Sequence, residues 1–376
     1  MTESPRVLHL VASLGHDGAG VRNAVQSLSK AQEAAGATVR VIGLLAEGKP
    51  LAKVDDWCGA EAIGLRVYGP KSFGFAPRMI SEVISFKPDI IHVHGLWLYS
   101  NLLAMVLAVF ASIPYVVSTH GMLSRAALDV SSRRKVIAGI LYAKRFLKRA
   151  HFVHSTSRAE TEDIEKYATS CRVMELSHGV DRLEPREVSD VPHKRRVLFV
   201  GRKSSIKRLD LLIDAWSRLE CEFTDWDLLI VGPEGDESDS SLSVHAQNVG
   251  ACRVRFEHER NGEGLWEIYR SSDLLCLVSE SENFGLVVAE ALMLKVPVLV
   301  TDNLPWWQVR EKECGLSVCC TVQGIRDGLR ELMLLDDHQR YLMGSNGRAW
   351  MINEFSWDRI AIDSLRSYGF VIEQTS

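Results

Sequence analysis

The sequence predicts an α/β protein built as two Rossmann-like, doubly wound parallel-sheet domains. Three observations lead there. Short runs of β-branched and aliphatic residues alternate with helix-length amphipathic segments, which is the pattern of repeated βαβ units. The alternation pauses at a polar, Pro-punctuated stretch, Glu184 to Arg195, and then restarts. A chain of 376 residues is long for one hydrophobic core and sufficient for two.

In the first half the segments that read as strands are Val7 to Ala12, Thr38 to Leu44, Asp89 to His94, Tyr115 to Ser118, His151 to Ser155 and Arg172 to Leu176. The second set is Arg196 to Val200, Trp226 to Val231, Val254 to Phe256, Leu274 to Leu277 and Val296 to Val300. This parsing gives an N-terminal domain at 1–187 and a C-terminal domain at 188–355. Ligands of such sheets bind beyond the carboxyl ends of the strands, so two facing sheets would border one central cleft. From Gly95 to Gly121 there is no Asp, Glu, Lys or Arg. Its apolar core, Leu102 to Ala111, falls short of the roughly 20 residues a membrane span needs, and reads as a buried helix feeding a buried strand.

Composition excludes whole classes. With 46% hydrophobic and 24% charged residues, the chain is neither disordered nor collagen-like. Eight cysteines, at 58, 171, 221, 252, 276, 314, 319 and 320, show no CxxC pair and no short, even framework, so a reducing, cytoplasmic setting is expected. Met1 to Arg6 runs straight into an apolar segment without a basic leader, so no signal peptide is read there. The net charge of −4 averages two unlike halves: 22 basic against 17 acidic residues through 185, and 22 against 31 after it. No global field favours a polyanion, and stacking aromatics in a recognised module are missing, so nucleic acid is not an expected partner.

The sharpest local pattern is Ser279-Glu280-Ser281-Glu282-Asn283-Phe284-Gly285-Leu286-Val287-Val288-Ala289-Glu290-Ala291. It follows a strand and opens a helix, so Glu282 and Glu290 are expected to face one ligand, with the backbone N–H groups of Asn283, Phe284 and Gly285 available to an anion or hydroxyl. Paired carboxylates suit vicinal hydroxyls, because each offers two acceptor oxygens to two donors. The plainer reading is a dipole-complementing Glu282 and a solvated Glu290. Against it, Val287, Val288, Ala291 and Leu292 surround Glu290 with apolar surface, which calls for a partner. Gly201, Arg202 and Lys207 follow another strand and place two cations where a pyrophosphate could sit, although a solvated basic turn with Lys203 and Arg208 fits the same residues. Gly20, beside a helix start, permits close backbone approach, as an ordinary βα turn also would. His120, before Gly121 at a strand end, could hydrogen-bond a hydroxyl or be merely structural.

Taken in register, these motifs resemble retaining glycosyltransferase family 4, of the GT-B fold. The run from Ser279 to Ala291 leads into Val296-Pro297-Val298; Ala19-Gly20-Val21, Thr119-His120-Gly121, Gly179-Val180-Asp181, Val200-Gly201-Arg202 with Lys207, and Gly232-Pro233 supply the other landmarks. Departures are Ala19 for the first Gly of a pair, His178 for Asn, Arg208 for Gly and Lys295 for Gly. Leu304-Pro305-Trp306-Trp307 resembles a loop of the members that build bacterial surface polysaccharides, such as exopolysaccharide or O-antigen of lipopolysaccharide.

The resemblance implies a hexosyltransferase-type enzyme that moves sugar from a nucleotide-diphospho-sugar, UDP- or GDP-linked, with retention and without a metal or other cofactor. Glu290 would hold the ribose, Arg202 and Lys207 the pyrophosphate, and Glu282 with the backbone of Asn283, Phe284 and Gly285 the sugar hydroxyls. His120 would contact the donor sugar and its transition state, and Gly20 and Gly201 would let backbone approach the donor. The final segment, 356–376, would be a helix returning to the N-terminal domain. Asp55-Asp56 and Asp336-Asp337 are not read as divalent-metal motifs.

The acceptor is read from charge. Arg133, Arg134, Lys135, Lys144, Arg145, Lys148 and Arg149 interleave with Ile137, Ile140, Leu141, Phe146 and Leu147, with no acid between Val130 and Arg158. Two readings stand: a basic amphipathic surface on the inner face of the plasma membrane, serving a lipid-linked saccharide, or a solvated helix packed on the sheet. Rivals for the whole chain are a nucleotide-sugar epimerase or sugar-phosphate synthase of the same fold, a non-catalytic sugar-nucleotide-binding protein, and a dinucleotide oxidoreductase. The last fails on the fingerprint, since Gly15, Gly18 and Gly20 are followed by Asn23 rather than a third properly spaced glycine.

Overall fold

The computed structural model describes residues 4–15, 19–45, 51–53, 57–124, 127–128, 142–185 and 195–375. The chain divides into two compact units, Met1–Gly179 with Trp357–Ser376, and Val180–Ser356.

The first unit carries an eight-stranded sheet of β1 (Arg6–Val11), β2 (Thr38–Leu45), β3 (Leu51–Lys53), β4 (Glu61–Arg66), β5 (Ile90–His94), β6 (Tyr115–Ser118), β7 (Val153–Ser155) and β8 (Val173–Glu175). Their spatial order is β3-β4-β2-β1-β5-β6-β7-β8, parallel except for β3 against β4. Helices α1 (Ala19–Ala34), α2 (Arg78–Phe86), α3 (Tyr99–Phe110), α4 (Lys144–Arg149) and α5 (Arg158–Tyr167) belong to it. So does the C-terminal helix, Trp357–Thr375, whose Ile360 and Ala361 pack on Leu28 and Ala31 of α1.

In the second unit the strands are β9 (Arg195–Val200), β10 (Trp226–Val231), β11 (Val254–Glu257), β12 (Leu274–Leu277), β13 (Val298–Thr301) and β14 (Gly315–Val318), ordered β11-β10-β9-β12-β13-β14 and all parallel. The helices are α6 (Leu209–Ser217), α7 (Asp239–Val249), α8 (Glu263–Arg270), α9 (Leu286–Met293), α10 (Val322–Leu334) and α11 (Asp337–Trp350). Strands covered on both faces read as near-continuous apolar runs. Leu228, Ile230, Leu275 and Leu277 are accordingly buried, each stabilising the fold by about 1.5–3 kcal/mol.

The order reverses direction between β1 and β5 within the parallel part of the first sheet and between β9 and β12 in the second. The crevice at the carboxyl end of such a reversal is the ligand position of open α/β sheets. Gly201 follows β9 and Ser279 follows β12, so the two C-terminal motifs flank the reversal of their sheet. In the first unit His94 ends β5 and His120 follows β6, the next strand over.

Three sequence expectations need correction. The first boundary falls at Gly179/Val180 rather than at 187/188, because Val180 N donates to Phe355 O at 2.7 Å and bridges Ser356, which commits it to the second unit. Helix α3 is not buried all round. Leu103, Ala104 and Leu107 face the core, whereas Val109 and Phe110 are 54% and 83% exposed. Strands β3, β4 and β14 were not anticipated; β4 and β14 each hold a glycine and only short apolar stretches, which blurs a strand pattern. Among the described residues no helix is long and apolar enough to cross a membrane.

Candidate active site

The turn after β6 presents His120 in a costly backbone conformation. Its φ is +50° and that of Gly121 is +71°; a left-handed non-glycine residue costs of order 1–3 kcal/mol and persists only where the surroundings impose it. Glu160, in the first turn of α5, imposes it. One carboxylate oxygen accepts from Thr119 Oγ1 and Gly121 N, both at 2.6 Å, and the other from Thr156 N at 2.8 Å and Thr156 Oγ1 at 2.9 Å. Burial would raise the Glu160 pKa, but these donors outweigh it and hold the carboxyl below its usual range.

Behind His120 runs a file of buried imidazoles. His120 Nε2 lies 3.0 Å from His94 Nδ1, His94 Nε2 lies 2.9 Å from His9 Nδ1, and His9 Nε2 meets Gln32 Oε1 at 2.8 Å. Burial lowers the pKa of His120 and of His9 to about 4, with Glu160 opposing the shift at His120, and holds that of His94 well below the usual imidazole range. All three are neutral at pH 7. His9, His92 and His94 are also close enough to share a metal ion, with ligand atoms within 4.8 Å of one another. Every ring nitrogen of the three already has a hydrogen-bond partner in the protein.

In the second unit a 3-10 turn, Ser205–Lys207, follows β9, and the loop 279–285 follows β12. The two are joined. Glu280 N donates to Ile206 O at 2.8 Å, Ser279 Oγ reaches Ile206 O at 3.1 Å, and Lys207 Nζ donates to Glu282 Oε1. Both side chains of that ion pair are largely enclosed, 16% and 14% exposed. Lys203 is fully buried, with Nζ donating to Glu257 O at 2.9 Å and paired with Asp239, while Arg208 is paired with Asp210 and Glu280. A merely solvated basic turn is therefore not what forms; Arg202 alone of its four cations is classed as exposed. A side chain on Gly232 would collide with the Gly201 carbonyl oxygen, so the ends of β9 and β10 approach as closely as backbone allows.

Glu290 sits on α9. Tyr269 OH donates to Glu290 Oε2 at 2.9 Å, which is the partner its apolar surroundings called for. Burial pushes the Glu290 carboxyl up to about 7, the Tyr269 hydrogen bond opposes the rise, and the charge of Asp181 adds to it. Helix α9 starts only at Leu286, with Gly285 at its N-cap in the left-handed conformation (φ +77°). Glu282, Asn283 and Phe284 thus lie in the loop and not in a helical first turn, which corrects the helical-spacing argument for the two glutamates. Phe284 packs edge-on against Trp306, whose indole N–H donates to the Phe284 carbonyl, while Trp307 beside it is exposed.

Gly20 lies in the first turn of α1, and nothing in the protein fills the space a side chain there would take. Arg133, Arg134 and Lys135, and Asp55-Asp56, lie outside the described residues. Lys144, Arg145, Lys148 and Arg149 are exposed on α4, while Phe146 and Leu147 are buried. Sequence reasoning missed Tyr269, Glu160, Gln32, His9 and His94. The His-x-His of β5 was the one local signal for the imidazole file.

Two family models match the chain: "Glycosyl transferase 4-like domain" over residues 19–171 and "Glycosyl transferases group 1" over residues 181–350. The chain is 29% identical over 325 residues to the D-inositol 3-phosphate glycosyltransferase of Salinispora tropica, a match covering 76% of this chain and 64% of that protein. It is 30% identical over 279 residues to the sulfoquinovosyl transferase SQD2 of Arabidopsis thaliana, covering 67% and 51%. The chain therefore spans about half to two-thirds of the length of these relatives. Among solved structures it is similar to sucrose-phosphate synthase from Thermosynechococcus elongatus, with TM-score 0.77, 20% identity and 98% and 100% of the two chains covered. It is also similar to Anabaena HepE in complex with UDP and glucose, with TM-score 0.73, 16% identity and 97% and 99% covered. Both comparisons speak for the fold. With two Rossmann-like parallel-sheet units and a family match in each, this chain belongs to the family 4 glycosyltransferases of the GT-B fold.

Proposed function

We propose that the protein is a retaining, metal-independent hexosyltransferase that moves a sugar from a nucleoside-diphosphate sugar to a saccharide acceptor. The observation that carries this reading is the Lys207–Glu282 pair at the sheet reversal of the second unit, with Arg202 exposed on the same turn. A diphosphate needs cations fixed in advance, and a sugar needs carboxylates and backbone donors close to them. Arg202 and Lys207 take the diphosphate, Glu290 the ribose, and Glu282 with the backbone of Asn283, Phe284 and Gly285 the sugar hydroxyls. Gly20 and Gly201 leave room for the donor, and His120 meets a sugar hydroxyl. Catalysis is then electrostatic: positive charge stabilises the leaving diphosphate while an oxocarbenium-like sugar forms.

We assign the acceptor to a lipid-linked saccharide at the cytoplasmic membrane face, in surface-polysaccharide or glycolipid synthesis. The exposed Val109 and Phe110 of α3, on a helix packed against the basic α4, support that assignment. The Trp306-Trp307 loop leans the same way. Incubation with UDP-, GDP-, ADP- and TDP-sugars tests the reading through thermal stabilisation and release of the nucleoside diphosphate. Stabilisation without transfer or hydrolysis would favour a sugar-nucleotide-binding protein, and an isomerised nucleotide sugar would favour an epimerase.

A further inference from the structure

The proton positions along the buried imidazole file follow from its far end. Ser364 Oγ donates its single proton to Ala361 O at 2.8 Å, so toward Gln32 Nε2, 2.9 Å away, it can only accept. That fixes the amide: Gln32 turns its NH2 to Ser364 and its Oε1 to His9. His9 Nε2 must then carry hydrogen to donate to Oε1. A neutral imidazole has one N–H, so His9 Nδ1 is an acceptor and His94 Nε2 donates to it. By the same step His94 Nδ1 accepts, and His120 Nε2 donates. His120 Nδ1 is left as a bare lone pair, and it makes no hydrogen bond among the described residues.

A second file closes consistently on the same helix. Leu176 O can only accept, so His154 carries hydrogen on Nε2 at 2.6 Å from it. Ser118 Oγ then donates to His154 Nδ1 and accepts from His92 Nε2, both at 2.7 Å, and Tyr368 OH donates to His92 Nδ1 at 2.7 Å. Each proton in the two files has one place to go, and burial keeps the rings neutral.

We propose that Gln32, His9 and His94 are positioning residues that lock His120 as its Nε2–H tautomer and so commit its Nδ1 to accepting a hydrogen bond. The ligand group that meets His120 is therefore a donor, a hydroxyl or an amide, and not a phosphate or carboxylate oxygen. The identification of that donor as a sugar hydroxyl rests on the proposed function; the tautomer does not.

Long-range proton–nitrogen correlation spectra of the full chain with 15N-labelled histidine read the tautomers directly, with His120 assigned from its loss in His120→Asn. The expected result is hydrogen on Nε2 and none on Nδ1 for His9, His94 and His120 near neutral pH. In Gln32→Leu the terminal acceptor is gone, the file can reverse, and His120 gains a population with hydrogen on Nδ1. Alongside, kcat/KM for a nucleoside-diphosphate sugar falls about tenfold, the scale of one hydrogen bond, while affinity for the free nucleoside diphosphate is unchanged. Nδ1–H on His120 in the unsubstituted protein, or a His120 tautomer indifferent to Gln32→Leu in a folded variant, would overturn the proposal. So would uptake of zinc by His9 and His94 in the unsubstituted protein. Tautomers as described in a chain that transfers no sugar would instead refute the proposed function.

Discussion

Lys207 and Glu282, 75 positions apart in the chain, form an ion pair between the turn after β9 and the loop after β12. Each strand end contributes one partner, so the pair spans the reversal of the second sheet. Each charge neutralises the other, which lets both groups sit largely enclosed without an uncompensated charge.

Removing one partner therefore has two effects. Lys207→Ala should weaken nucleoside-diphosphate binding by about 10- to 100-fold, the scale of a charge-assisted hydrogen bond, as measured by calorimetry. Thermal unfolding should show Lys207→Ala and Glu282→Ala each destabilising, and the double variant less so than the sum of the two. Additive losses would mean the ion pair contributes nothing to the fold.

The Glu290 carboxyl predicts a pH dependence with a definite sign. Its folded pKa is raised from 4.5 to about 7, so between those values the folded state holds a proton that the unfolded chain has released. Stability from this group is thus present below that window and lost as pH rises through it. If Glu290 holds the ribose as proposed, the ribose hydroxyls donate to its ionised form, so binding below pH 7 should release a proton and weaken toward tenfold per pH unit. Tyr269→Phe removes the hydrogen bond that favours the ionised form, and should move the loss of affinity to higher pH. Calorimetry in two buffers of different ionisation enthalpy counts the proton.

Glu160 carries the turn of His120. Glu160→Ala strands four donors and should cost about 3 kcal/mol of stability, read from denaturant unfolding. Because its pKa is lowered on folding, its ionised contribution is present above the ordinary carboxylate range and is lost as pH falls through the lowered folded value.

For the membrane reading, Phe110→Ser and the pair Lys144→Ala with Arg145→Ala should each reduce sedimentation with anionic vesicles severalfold, without changing nucleotide affinity. Equal sedimentation with neutral and anionic vesicles would remove the lipid surface from the account.

Much of the fold was legible because buried parallel strands are predominantly apolar even where a histidine or an aspartate interrupts them: β1, β2, β5, β6, β9, β10 and β12 fall where runs such as Ile90 to His94 and Trp226 to Val231 stand. Strand β4 was not, since Glu61 and Arg66 bracket a short core broken by Gly64. Motif residues after strands were legible as well, because only strand ends give loops access to the sheet crevice. Their partners were not. Tyr269 reaches Glu290 from another helix, Glu160 reaches the His120 turn from 39 and 41 positions away, and Gln32 reaches Ser364 across 332. Such contacts exist only after folding, and no local pattern announces them. The helical spacing of Glu282 and Glu290 misled for a related reason: Gly285, in a left-handed conformation, delays α9 to Leu286.

The most direct test of the glycosyltransferase reading is calorimetric titration of the unsubstituted protein, Arg202→Ala, Lys207→Ala and Glu290→Ala with UDP- and GDP-sugars at pH 7.5. The account predicts saturable binding of at least one donor by the unsubstituted protein and marked weakening in all three variants. No binding of any nucleoside-diphosphate sugar, or equal binding by folded variants, would contradict it.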